Sequence, residues 1–149
     1  MMEEYNIIEV VNKIGIYADN CDWEKVQTCF CEEVILDYST MPDGGIMTMS
    51  PKEAIEFWQL QLIGFDKTKH YITNHQVRIS DCGYEADTFS SLHAVQYLEG
   101  YESLHIYGTY NHHLRKTAGI WKIDHHKFNF EFMEGNTMLQ EIAERKIAE

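Results

Sequence analysis

Ile7, Val10, Val11, Ile14, Ala18 and Cys21 recur at helical spacing, so residues 4–20 are expected to form an amphipathic helix with one apolar stripe. A second, short helix is expected from about Trp23 to Phe30. "VILDYS" (34–39), rich in β-branched and aromatic side chains, then reads as a strand, and "MPDGG" (41–45) as a turn. "SPKE" (50–53) is a strong helix start: Ser50 at the cap, Pro51 in the first turn and Glu53 three residues on. That helix should run through "AIEFWQLQLIG" and stop near Gly64. From there the period becomes strand-like, with candidates at 70–80, 84–98, 103–116 and 119–132 separated by "DCG", "EGYE" and "KTAG". "NTMLQEIAERKIAE" closes the chain as a candidate helix with Asn136 as its cap.

Helices first and long hairpin-linked strands afterwards is the order of an α+β domain with helices on one face of an antiparallel sheet. Strands of this length exceed the usual span and should be bent or bulged, which predicts a strongly curved sheet. A curved sheet with helices in its concavity encloses a pocket. At 149 residues, with two prolines and no low-complexity tract or repeat, the chain is expected to be a single domain, 1–149.

Charge narrows the partners. Twelve basic residues against 24 acidic ones give a formal charge of −12, and no basic stripe is visible, so neither nucleic acid nor an anionic membrane surface is an expected partner. The N-terminal "MMEEYNIIEV" has neither a positive n-region nor a long apolar run. Cys21, Cys29, Cys31 and Cys82 match neither a disulfide framework nor a zinc knuckle, which points to free thiols in a cytoplasmic protein.

The end of the first helix holds two aspartates, Asp19 and Asp22, with different prospects. Asp22 stands just before "WEKV", the ordinary place for an N-cap. Asp19 projects about 20° from Ile8, beside the apolar stripe, with Gly15 one turn earlier leaving room for its carboxylate. A carboxylate on one nitrogen of a histidine would fix the tautomer and leave the other nitrogen as a base.

Three stretches, "YADNCDWEKVQTCFCEEVILDY", "TKHYITNHQVRI" and "YGTYNHHLRKTAGIWKI", resemble the SnoaL-like families of the nuclear-transport-factor-2-like superfamily over nearly the whole domain. The first is similar to scytalone dehydratase and bile-acid 7α-dehydratase, the other two to hexachlorocyclohexane dehydrochlorinase. The resemblance implies a cone-shaped sheet wrapped around the N-terminal helices, with an aspartate and a histidine facing one another across its cavity. Its spacing to Trp23 and Val26 puts Asp19 in the place of the catalytic aspartate; His70 matches the histidine of the "T-x-H" strand start, and Tyr38 the pocket tyrosine. Trp58 is expected to line the cavity or the core beneath it. At two positions where the dehydratases carry tyrosines this chain has Ile14 and Ala18.

On the next long strand His93 is a candidate for substrate binding, and strand parity decides its place. Aligned by distance from His70 it points inward; aligned on Ala86, the inward residues become Ala94 and Gln96. His112–His113 and His125–His126 are adjacent pairs on strands, so each splits across two faces and no metal is expected. Tyr97, Tyr107, Tyr110, Phe128 and Phe130 supply aromatic area for an outer interface, unless parity turns them into the cone; family members form dimers or trimers. Together these readings imply a cofactor-independent lyase or isomerase with a small, mainly apolar, cyclic substrate. A non-catalytic binding or assembly module of the same fold, and a polyketide-type cyclase using Asp19 as its acid, remain alternatives.

Overall fold

Helix α1 (Met2–Asp19) buries Ile7, Val11, Ile14 and Ala18, the stripe that its apolar spacing requires. The computed structural model describes residues 2–149. Helix α2 (Trp23–Gln27) is shorter than expected, because Thr28 closes it with its hydroxyl on the Lys25 carbonyl and strand β1 (Phe30–Asp37) begins soon afterwards. Asp22 occupies the cap position, but its carboxylate takes none of the free helical N–H groups. A short strand β2 (Ile46–Met49), not expected from the sequence, pairs antiparallel with β1 and tucks Met47 and Met49 against the core.

Helix α3 (Pro51–Leu62) starts as read: the Ser50 hydroxyl accepts from the Glu53 N–H, and the Glu53 carboxylate accepts from the Ser50 N–H. Four long strands follow, β3 (Lys67–Ile79), β4 (Glu85–Tyr97), β5 (Leu104–Thr117) and β6 (Ile120–Gly135), then helix α4 (Leu139–Ala148). Asn136 does not cap α4. Its side chain accepts from the Met138 N–H and its carbonyl from Leu139, forming a turn ahead of the helix.

The sheet has the order β2-β1-β6-β5-β4-β3, antiparallel throughout except where β1 runs parallel to β6. Register shifts at 30/35 in β1, 73/76 in β3, and in β6 opposite 107/108 and 113/114 of β5 bend it, so the long strands curl rather than lie flat. The result is the expected curved, unclosed α+β cone. Helices α1 and α3 fill one end of the concavity, packed on Phe30, Leu36, Leu114, Trp121 and Ile123. At the other end Leu104, Leu98 and Phe128 pack against Leu139 and Ala143 of α4. Among the described residues no helix is long and apolar enough to cross a membrane. All four cysteines are free thiols.

Gly15 sets how closely α1 meets β3. A Cβ there would lie 3.0 Å from Ile72 Cδ1 and 3.2 Å from His70 Cβ. That close approach brings the last turn of α1 onto the start of β3.

Candidate active site

Strand β3 is an edge, so the N–H groups on its free side need a partner other than a neighbouring strand. Asp19 supplies one. Its Oδ2 accepts the His70 backbone N–H at 2.7 Å, while Oδ1 accepts the Thr68 hydroxyl at 3.1 Å and lies 2.7 Å from His70 Nδ1. An ionised carboxylate only accepts, so Nδ1 carries the proton and Nε2 is left with its lone pair. The Asp19 side chain is 8% exposed and that of His70 18%, so the pair is shielded while the imidazole still reaches open space. His70 lines the cavity; Asp19 stands behind it.

The cavity has a volume of about 390 Å³. Its walls are mostly apolar: Ile14 and Ala18 from α1, Ile72 from β3, Leu92 from β4, Ile106 from β5 and Phe128 from β6. Ile14 and Ala18 thus contribute hydrocarbon where the dehydratase patterns have phenols. The polar groups are His70, Tyr38, Tyr110, Trp58 and Gln61, with Asp43 contributed by the 41–44 turn, and at one end Gln96 with Gln140, whose amides bond to each other. This is the composition of a site for a compact apolar molecule with one or two polar atoms.

Tyr38 and Trp58 are both cavity residues. The Trp58 indole N–H donates to the Tyr38 hydroxyl oxygen at 2.9 Å, which also lies 3.2 Å from His126 Nε2. Behind it, His126 Nδ1 is 2.8 Å from His112 Nε2. Both imidazoles are buried, at 1% and 2% exposure. Burial disfavours the imidazolium and pushes His112 down to about 3 and His126 well below its ordinary value; each ring also repels charge on the others nearby. Burial likewise raises the Tyr38 phenol, and raises Tyr110 well above its usual range. Tyr110 is 7% exposed and faces the cavity.

His93 is not in the cavity. On β4 the inward positions are Leu92, Ala94 and Gln96, so His93 points to the convex face, where its Nε2 meets His105 Nδ1 at 2.8 Å and its ring stacks on Tyr107. Counting from His70 misplaces it because β3 is bulged between Thr73 and Gln76 while β4 is regular. The aromatic set expected on the outer face is also divided. Tyr97 and Tyr107 lie outside, whereas Tyr110 and Phe128 are buried cavity residues and Phe130 packs beside them.

The residues that sequence reasoning passed over are His126, His112 and Tyr110. The adjacent histidines do split across the sheet, His112 and His126 inward, His113 and His125 on the other side. Even spacing of Tyr110, His112 and Leu114 was the available signal. On β6 it is scrambled, since Ile123 and His126 both face inward across an irregularity opposite His113 and Leu114.

The SnoaL-like domain family profile matches residues 2–127. No curated protein matches the chain in sequence. Among solved structures, the Kfla4162 protein of Kribbella flavida is 20% identical over 94% of this chain and 97% of its own, with a TM-score of 0.85. Hexachlorocyclohexane dehydrochlorinase LinA-type3 of Novosphingobium barchaimii is 13% identical over 90% of each chain, with a TM-score of 0.77. A protein of Novosphingobium aromaticivorans, provisionally described as a scytalone dehydratase, is 18% identical over 89% of this chain and 87% of its own, at a TM-score of 0.73. At these identities the likeness is one of fold. The profile, spanning most of the chain, goes further: this protein belongs to the SnoaL-like domain family.

Proposed function

We propose that the protein is a cofactor-independent lyase or isomerase acting on a small apolar, cyclic substrate. The observation that carries this reading is the Asp19–His70 pair, closed at 2.7 Å and backed by two further hydrogen bonds to the same carboxylate. His70 Nε2 removes a proton from a substrate carbon, and Asp19 holds the ring and stabilises the imidazolium that forms. The electron pair left behind forms a carbon–carbon double bond. In an elimination it expels halide, or a hydroxyl that departs as water with the proton handed on by the His70 imidazolium, from the adjacent carbon; in an isomerisation the proton returns at another carbon. Tyr38 hydrogen-bonds the carbonyl or leaving group, and Trp58 steadies that phenol while walling the cavity. Fold neighbours that are dehydrochlorinases support the reaction class. The cavity walls support an apolar substrate.

The test is incubation with hydroxy- and halo-substituted cyclic compounds in deuterated water, following double-bond formation and deuterium uptake at carbon. Turnover or exchange that drops by roughly 10²–10⁴ in His70→Gln is the expected result. Compounds that bind but neither react nor exchange, in wild type and variant alike, would instead make the chain a small-molecule-binding module of the same fold.

A further inference from the structure

The buried pair behind Tyr38 plays no part in the proton transfer above, yet it decides which way the Tyr38 hydroxyl points. His112 provides the starting point. Its Nδ1 is buried and has no hydrogen-bond partner among the described residues, while its Nε2 faces His126 Nδ1 at 2.8 Å. An orphaned buried N–H is rarer and costlier than an orphaned lone pair, so the His112 proton belongs on Nε2 and is donated to His126. His126 Nδ1 is then an acceptor, and a neutral His126 must carry its own proton on Nε2, which faces the Tyr38 oxygen. That oxygen already accepts from Trp58. With both acceptor directions used, the one proton on Tyr38 has no protein partner left and turns into the cavity.

We propose that His112 and His126 are positioning residues: a one-way chain, His112 to His126 to Tyr38, that holds the Tyr38 hydroxyl as a donor toward bound substrate. The opposite chain, with Tyr38 donating to His126, would leave the phenol able only to accept. The site is therefore built for a substrate that presents an oxygen lone pair at Tyr38, such as a ring carbonyl or the enolate formed from it. A hydroxyl seated there would have to be the acceptor. This choice of substrate group rests on the role given to Tyr38 above; the direction of the chain does not.

Two measurements separate them. Nitrogen-15 NMR of the histidine-labelled wild-type protein reads the tautomers directly, without substrate or variant. Protonated Nε2 and bare Nδ1 at both His112 and His126 is the expected pattern; a protonated Nδ1 at His126 overturns the chain. The second uses 4-nitrophenol as its phenolate, a flat ring with one anionic oxygen. His126→Phe should weaken its binding by about fivefold, and His126→Gln, which keeps an N–H donor, should restore most of the loss. If Tyr38 instead donates to His126, removing that ring frees the hydroxyl and binding tightens, which overturns the proposal. Tyr38→Phe is the control on the function itself. Unchanged phenolate affinity in that variant, with the expected tautomers in place, would remove Tyr38 from ligand recognition and leave the chain standing.

Discussion

Two imidazole pairs occupy opposite faces of one sheet, each closed by a 2.8 Å contact between ring nitrogens: His112–His126 in the cone and His93–His105 on its outer surface. The contact is alike and the surroundings are not. The inner pair is almost wholly buried, flanked by Tyr110, Trp58 and Tyr38, and burial holds His112 neutral down to about 3. The outer pair is part of a half-open stack with Tyr107, and Tyr107 in turn lies on Phe132. His93 is lowered too, by partial burial first and by His105 second. Depth, rather than partner, sets the difference. An imidazole that cannot charge is fit to orient a phenol; one that still meets water is free to titrate.

The largest contrast between the faces is catalytic. His70→Gln on the inner face should lower turnover by roughly 10²–10⁴, measured as kcat with the substrate found by the deuterium screen. His93→Gln on the outer face should leave kcat/KM within about twofold, as expected for a half-exposed residue with no contact to the cavity. Loss of activity in His93→Gln would erase the distinction between the two faces.

Packing gives the next contrast. Gly15→Leu places a side chain where even a Cβ meets His70 Cβ at 3.2 Å, so α1 must retreat from β3. Overpacking of this kind costs about 1–3 kcal/mol, which denaturant unfolding would register. The same retreat lengthens the Asp19–His70 contact, so kcat should fall further than stability predicts. A variant that loses stability but keeps kcat would show that the dyad tolerates displacement.

Acid separates the pairs by a smaller amount. In the unfolded chain these imidazoles titrate near their ordinary value of 6.5, whereas in the native fold His112 stays neutral to about 3 and His126 is also held low. Below pH 6.5 the unfolded chain therefore binds more protons, and native stability falls as pH drops toward 3. The slope is on the order of 1 kcal/mol per pH unit for each inner imidazole. Urea midpoints between pH 7 and pH 5 should show it. His112→Phe should flatten the dependence, and His93→Gln should change it far less. Equal flattening by both would mean that the two pairs are equally desolvated.

What was legible beforehand follows the same division between regular and irregular backbone. The α1 stripe, the Ser50–Glu53 box and the run of long strands are local patterns, and each appears where its spacing puts it. Asp19, His70 and Tyr38 were within reach through the family resemblance, whose motifs lie near element ends and fix them by spacing to Trp23 and Val26 or to a strand start. Strand interiors were not. The irregularities in β3 and β6 reverse side-chain parity, which sent His93 to the outside and brought Phe128 and His126 in, while Tyr110 follows the regular alternation of β5. Register of this kind is settled by cross-strand pairing, which a single strand's sequence does not encode. The β2 strand is a similar case, since four residues of weak alternation form a strand only against β1.

The smallest effect on chemistry, and a clear one on assembly, belongs to the outer face. Tyr97, Tyr71 and Phe132 are 39%, 48% and 47% exposed there, more apolar area than a solitary sheet face needs. We propose that a homodimer or homotrimer of this chain, as expected from the family resemblance, would close on this convex surface. Phe132→Glu sets a carboxylate onto the ring of Tyr107, 4.5 Å away between centroids in the native stack, and would leave an unpaired charge in any interface formed there. Sedimentation should show oligomers giving way to monomers in this variant, with kcat unchanged because the cavity lies on the other side of the sheet. Oligomers that survive the substitution would move the contact elsewhere. A fall in kcat alongside dissociation would mean that the two faces are coupled, and that the cone needs its neighbour to hold its curvature.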